Sequence, residues 1–187
     1  MLTEPLVQQL TDLRLRGMAA ALERQLASAD RTQMSFEDRL GFMIQQEITE
    51  RASCRLAQRL RWAKLPLNAC LEDLDTRTAR GLDPGELRRL ADLGWIREHL
   101  NVLLTGPCGV GKSFIARALA HAACRADFSV RAFRLPRLIE ELARYGAMQK
   151  RSAYYRQLAK ADLIVIDLCG ARSNVELGAD SAAVVDV

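Results

Sequence analysis

The sequence predicts an α/β fold: a parallel sheet preceded by an α-helical N-terminal region. Three observations predict it. Apolar residues recur at helical spacing through the first third of the chain, strands and helices alternate from residue 99 onward, and a glycine-rich turn sits between a strand and a helix. The composition agrees. The chain has 187 residues, 49% hydrophobic and 27% charged, which is globular usage and excludes wholesale disorder. A chain of this length buries roughly 70% of its unfolded surface and needs no disulfide framework. Its apolar runs, such as 161–166, fall far short of the ~20 residues that span a bilayer. Glu4 and Asp12 interrupt the N-terminus, which has no continuous apolar core, so the expectation is an unexported, cytoplasmic protein without a membrane segment.

Residues 1–64 read as helical. Leu6, Leu10 and Leu13 share one face before Gly17, which is expected to interrupt, and Leu22 and Leu26 continue a second short segment. Ser35 with Asp38 resembles a capping box ahead of a long run. In that run Phe36, Leu40, Ile44, Ile48, Ala52, Leu56 and Leu60 recur every fourth residue until Leu65-Pro66 ends it. Such a rod would be roughly 40 Å long, more than a small domain needs, and calls for a packing partner. Arg51, Arg55 and Arg59 form a row beside the stripe: a ridge for phosphates or, the reading preferred here, a solvated face.

Residues 65–98 form a linker and a helix leading into the core. Asp83, Pro84 and Glu86 carry a helix start, and Gly94 is the expected stop. Residues 99–170 then give a strand at 100–105, a helix at 113–126, a strand at 128–133, a helical stretch at 138–159 broken near Gly146, and a short apolar strand at 163–166. Strands separated by helices pair in parallel. Residues 171–187 form a divergent tail. Trp62 and Trp95 are expected to pack rather than to stack on bases.

The net charge of +4 does not announce a nucleic-acid binder, but its distribution is uneven. Between Arg125 and Lys160 nine basic residues face three acidic ones, and with four lysines in the whole chain nearly all the positive charge is guanidinium. Cys54, Cys70, Cys108, Cys124 and Cys169 are scattered singly and only two histidines are present, which argues against zinc and disulfides and for small buried hydrophobes.

The chemistry concentrates in Gly106-Pro107-Cys108-Gly109-Val110-Gly111-Lys112-Ser113, a complete G-x-x-x-x-G-K-S phosphate loop in a strand–loop–helix setting, with Phe114 directly after it. Its glycines let successive amides turn inward toward a phosphate, and the following helix adds its positive end. Lys112 is placed to reach the β and γ oxygens of ATP, and Ser113 to offer a hydroxyl to Mg2+. Asp167 ends the apolar strand Leu163-Ile164-Val165-Ile166, where such loops keep the acid of the Mg2+ shell, so Ser113 and Asp167 are the metal candidates.

The segments LRGMAAALERQL, FEDRLGFMIQQEITERASCRLAQRLRWAKLP and ARGLD, followed by NVLLTGPCGVGKS and LIVID, resemble the IstB-like transposition helper ATPases of bacterial insertion sequences over about residues 1–170. These are AAA+ proteins similar to the DnaC-type helicase loaders. The resemblance implies an ATP-binding, DNA-binding oligomer that works with a transposase on double-stranded DNA without sequence preference. It places assembly and DNA contact in residues 1–64, an incomplete AAA+ P-loop NTPase sheet in residues 99–170, and the basic excess after Arg125 toward phosphates.

Leu168 stands where the family carries a second acid, so no residue here is assigned as a catalytic base, and the loss is worth ~10²–10⁴-fold. Beyond Gly170 the family's sensor strand and arginine finger are not matched, which suggests a truncated or frameshifted product with impaired hydrolysis and marginal stability. The sensor strand would separate the strands at Leu100 and Leu163; Ala182–Val187 is the remaining stretch with strand character to fill its slot. Two alternatives stand beside this reading: a helicase loader, and a non-catalytic fragment acting as an interaction module. Cys108, inside the loop and near a helix end, is expected to be a reactive thiol. Its alkylation, followed by mass spectrometry, should abolish ATP binding, and prior ATP should protect it.

Overall fold

The computed structural model describes residues 3–27, 34–65, 69–74, 83–107 and 109–168, and the backbone of 182–186. It falls into two compact units, Met1–Gln58 and Arg59–Val187.

The first unit holds α1 (Thr3–Asp12), α2 (Arg16–Ala27) and most of α3 (Phe36–Ala63). The α1–α2 break falls before Gly17, at Arg14, whose φ of 60° puts it in the left-handed region while the Leu15 amide reaches back to the Leu10 carbonyl. Gly17 therefore does not interrupt a helix. It lies inside α2, where a Cβ would sit 2.7 Å from the Gln46 carbonyl oxygen and the Glu47 Cα, so glycine is what lets α2 and α3 touch.

The contact is capped by a charge. Glu47 Oε2 accepts from the Gly17 amide at 2.8 Å and the Met18 amide at 3.2 Å, two orphan donors in the first turn of α2, and Oε1 accepts from Arg51 Nε at 2.7 Å. Burial pushes the Glu47 carboxyl up, but Arg51 and the two amides outweigh it and hold the carboxyl below its ordinary 4.5. The Ser35–Asp38 box forms as expected, with the Asp38 amide 3.1 Å from Ser35 Oγ. The α3 stripe is exposed: Phe36 at 71%, Ile44 at 46% and Ile48 at 52%.

In the second unit, α3 ends at Ala63. The arginine row is not a continuous ridge, because Arg59 pairs with Asp127 and Arg51 with Glu47. A 3-10 turn covers Leu71–Asp73. Helix α4 (Pro84–Ala91) begins as expected, with Asp83 accepting from the Gly85 and Glu86 amides. Gly94 is not its stop. Leu93 takes the left-handed position at φ 59° and Gly94 opens α5 (Gly94–Arg97). A left-handed leucine costs ~1–2 kcal/mol. Its side chain is buried, which returns about 1.5–3 kcal/mol.

The α/β core follows in the expected order: β1 (Asn101–Thr105), α6 (Lys112–Arg125), β2 (Val130–Arg134), α7 (Leu135–Ala147), α8 (Arg151–Leu158), β3 (Leu163–Asp167) and β4 (Ala182–Asp186). β2 pairs in parallel with β3, Val130 opposite Leu163 through Arg134 opposite Asp167, and β1 pairs in parallel with β4. The tail strand thus takes the place beside β1, but among the described residues no ladder joins it to β3, so it fills one side of the expected slot.

Asp162 fixes the β2–β3 register by accepting from the Ser129 amide and hydroxyl at 2.7 Å each, and those two bonds hold its carboxyl below the usual range. Leu90, Ile115 and Leu119 form one apolar cluster, joined by Trp95 and Val102; Phe133, Leu138 and Tyr154 form another. Trp95 packs as expected, donating to the Leu90 carbonyl, and Trp62 lies under the Arg131 guanidinium.

Because the Glu47 carboxyl is depressed in the folded chain, its bonds contribute fully above pH 4.5 and are lost as pH falls through the lower folded value. Protection of the Gly17 and Met18 amides against hydrogen exchange should fall across that acid window in the native chain. In Glu47→Ala, which removes the acceptor, it should be low throughout and should not change there.

Candidate nucleotide site

The loop after β1 is shaped by its glycines. Gly106, Gly109 and Gly111 hold φ of 131°, 89° and 104°. A Cβ on Gly109 would meet nothing within 4 Å, so backbone conformation, and not space, demands glycine there. Gly111 is the N-cap of α6, and its carbonyl accepts from the Phe114 and Ile115 amides. Val110 and Phe114 are half-buried, with Phe114 in the helix's first turn. Lys112 turns its Nζ back over the loop, donating to the Gly106 carbonyl at 2.8 Å and to the Pro107 carbonyl. Cys108 and Cys169 lie outside the described residues.

The structure brings Ser113 and Asp167 together. Ser113 Oγ donates to Asp167 Oδ1 at 3.1 Å across 54 residues of sequence. Oxygens that far apart fit adjacent corners of an octahedron with arms of about 2.1 Å, and a hydroxyl plus a carboxylate are the hard donors Mg2+ prefers. Among the described residues no three His, Cys, Asp or Glu side chains gather.

Sequence reasoning missed Arg117. Its NH2 donates to Asp167 Oδ2 at 3.1 Å, and the two side chains are 17% and 16% exposed. Spacing carried a signal: Arg117 follows Ser113 by four residues and so shares its face of α6. Leu168, directly after β3, is 44% exposed.

The basic stretch splits. Arg131 is buried, between the rings of Trp62 and Phe133, and donates to the Trp62 carbonyl. Arg125 pairs with Glu72 at 2.7 Å. Arg131 therefore does not belong to a phosphate-facing surface, whereas Arg125, in its pair with Glu72, and Arg134, Arg137, Arg144, Lys150, Arg151, Arg156 and Lys160 are exposed. Of the described thiols, Cys124 is buried and burial pushes it up, Cys70 is half-buried, and Cys54 is exposed on α3, where a buried residue was expected. Among the described residues no helix is long and apolar enough to cross a membrane.

A parallel-stranded α/β core, a glycine loop opening a helix and an Asp ending another strand define the phosphate-loop class of nucleotide-binding proteins. Within that class the chain belongs to the IstB-like ATP-binding protein family, whose sequence model matches residues 8–182. It is 43% identical over 168 residues to a Pseudomonas fluorescens protein named as ATP-binding in insertion sequence IS1162, covering 89% of this chain and 73% of the relative. It is 38% identical over 167 residues to an insertion-sequence ATP-binding relative in Sinorhizobium fredii, covering 89% and 68%. A Mycobacterium tuberculosis insertion-sequence relative is 33% identical over 171 residues, covering 91% and 68%.

Asp167→Ala removes the acceptor of two bonds and strands a mostly buried guanidinium, which should cost about 2 kcal/mol in urea denaturation. Glu72→Ala, whose pair with Arg125 is open to water and screened by it, should leave the urea midpoint close to that of the native chain.

Proposed function

We propose that the chain binds ATP at Gly106–Ser113 and serves as a cytoplasmic helper in insertion-sequence transposition, acting on double-stranded DNA with a transposase and assembling with further copies of itself. The observation that carries the reading is the Ser113–Asp167 contact, because it unites the loop's hydroxyl with the strand-end acid that phosphate-loop chemistry requires. The loop amides and Lys112 would hold the polyphosphate. Ser113 and Asp167 would hold Mg2+, which neutralises phosphate charge when bound.

The relatives' names support the transposition context over helicase loading, since each refers to an insertion sequence. Seven exposed basic residues between Arg134 and Lys160 support contact with a phosphate backbone, read without base specificity. The helical region of residues 1–64 supports assembly and DNA contact, through its exposed apolar stripe. Hydrolysis is impaired on this reading, because Leu168 can neither accept a proton nor align a water.

Lys112→Ala should weaken ATP binding at least about tenfold, the loss expected for one charge-assisted hydrogen bond, while leaving the melting temperature unchanged. Titration calorimetry and a thermal melt read both. Equal ATP affinity in the two proteins would refute the nucleotide site.

A further inference from the structure

We propose that Arg117 is a positioning residue whose guanidinium acts as a built-in counter-charge for Asp167, and so sets how strongly ATP binding depends on a divalent cation. The inference rests on the nucleotide-site reading above and deepens it.

Both oxygens of Asp167 are engaged from a single helix. Oδ1 accepts from Ser113 and Oδ2 from Arg117, each at 3.1 Å, and the ion pair is less than one-fifth exposed on either side. A carboxylate so poorly hydrated needs a compensating charge, and Arg117 supplies it with no metal required.

Two consequences follow from charge alone. A polyphosphate entering the loop without a cation meets an Asp167 that is already neutralised, so metal-free binding is protected. A cation coordinated by Asp167 must share that carboxylate with a fixed positive neighbour, so its own binding is weakened. Both effects push one quantity the same way. They lower the ratio of ATP affinity with Mg2+ to ATP affinity without it, and by linkage this ratio also measures what ATP does for Mg2+.

A purely structural tie between α6 and β3 would not have this signature. Arg117→Gln keeps a donor toward Asp167 and removes the charge. Arg117→Lys keeps the charge and removes the planar fork. The experiment is calorimetric titration of ATP into the full chain, once in EDTA and once in excess Mg2+, for the native protein and both variants, with a ligand-free melt of each as the folding control. R117Q should raise the affinity ratio at least about tenfold, the equivalent of one pKa unit of interaction with a neighbouring charge. R117K should stay within about threefold of native, a smaller change than that charge effect.

Should R117Q not fold, R117M, which preserves the packing of the stem, takes its place with the same expectation. A ratio unchanged in the neutral variant, or raised equally in R117K, overturns the proposal. Absence of ATP binding by the native chain in both buffers overturns the nucleotide reading and this inference with it, whereas ATP binding with a ratio insensitive to R117Q overturns this inference alone.

Discussion

The burial of α6 is the constraint on which the rest of the α/β unit depends. Ala118, Ala120, Ala123 and Cys124 show no exposed surface, and Ile115 and Leu119 almost none, so the helix is enclosed along most of its length. Small side chains make this possible, because they let neighbouring elements approach the helix backbone closely. The end at the loop escapes the apolar rule: Lys112, Ser113 and Arg117 carry its described side-chain hydrogen bonds. One helix thus does two opposed things. Its body is a core element, and its N-terminus is the chemical face of the molecule.

The same economy operates in the first unit, by a different route. Helix α2 starts without a capping side chain of its own. Its first free amides are met by Glu47 from α3, a carboxylate 30 residues away that also pairs with Arg51. A buried acid is normally a liability, and it is tolerated here because every interaction it makes favours the charged form. Gly17 is the necessary companion: any side chain at that position would push α3 back and take the carboxylate out of reach.

Much of this was legible in the sequence, and most of the misses share one cause. The strand and helix order, the phosphate loop, Asp167, the Asp83 cap and the Ser35–Asp38 box all depend on residues close in sequence, where local spacing and backbone preference decide. Gly17, Arg59 and Arg131 were misread because their roles are set by contacts distant in sequence. Gly17 reads as a helix breaker until Glu47 is placed against it. Arg131 reads as surface charge until two aromatic rings close over it. Arg117 lies on the legible side of that line, four residues after Ser113, but only the strand carrying Asp167 gives the spacing a meaning.

The sheet shows why those side-chain contacts matter. Parallel ladders usually fix the strand ends that carry a phosphate-loop site, yet among the described residues β1 pairs with β4 and β2 with β3, and no ladder joins the two pairs. The loop follows β1 and the acid ends β3, so backbone hydrogen bonds do not set the distance between them. That distance is set by α6, which packs against β1, β2 and β3 and reaches Asp167 with Ser113 and Arg117. The ion pair is therefore structural and electrostatic at once. It locates the acid, and it fixes the charge that any polyphosphate or cation meets there.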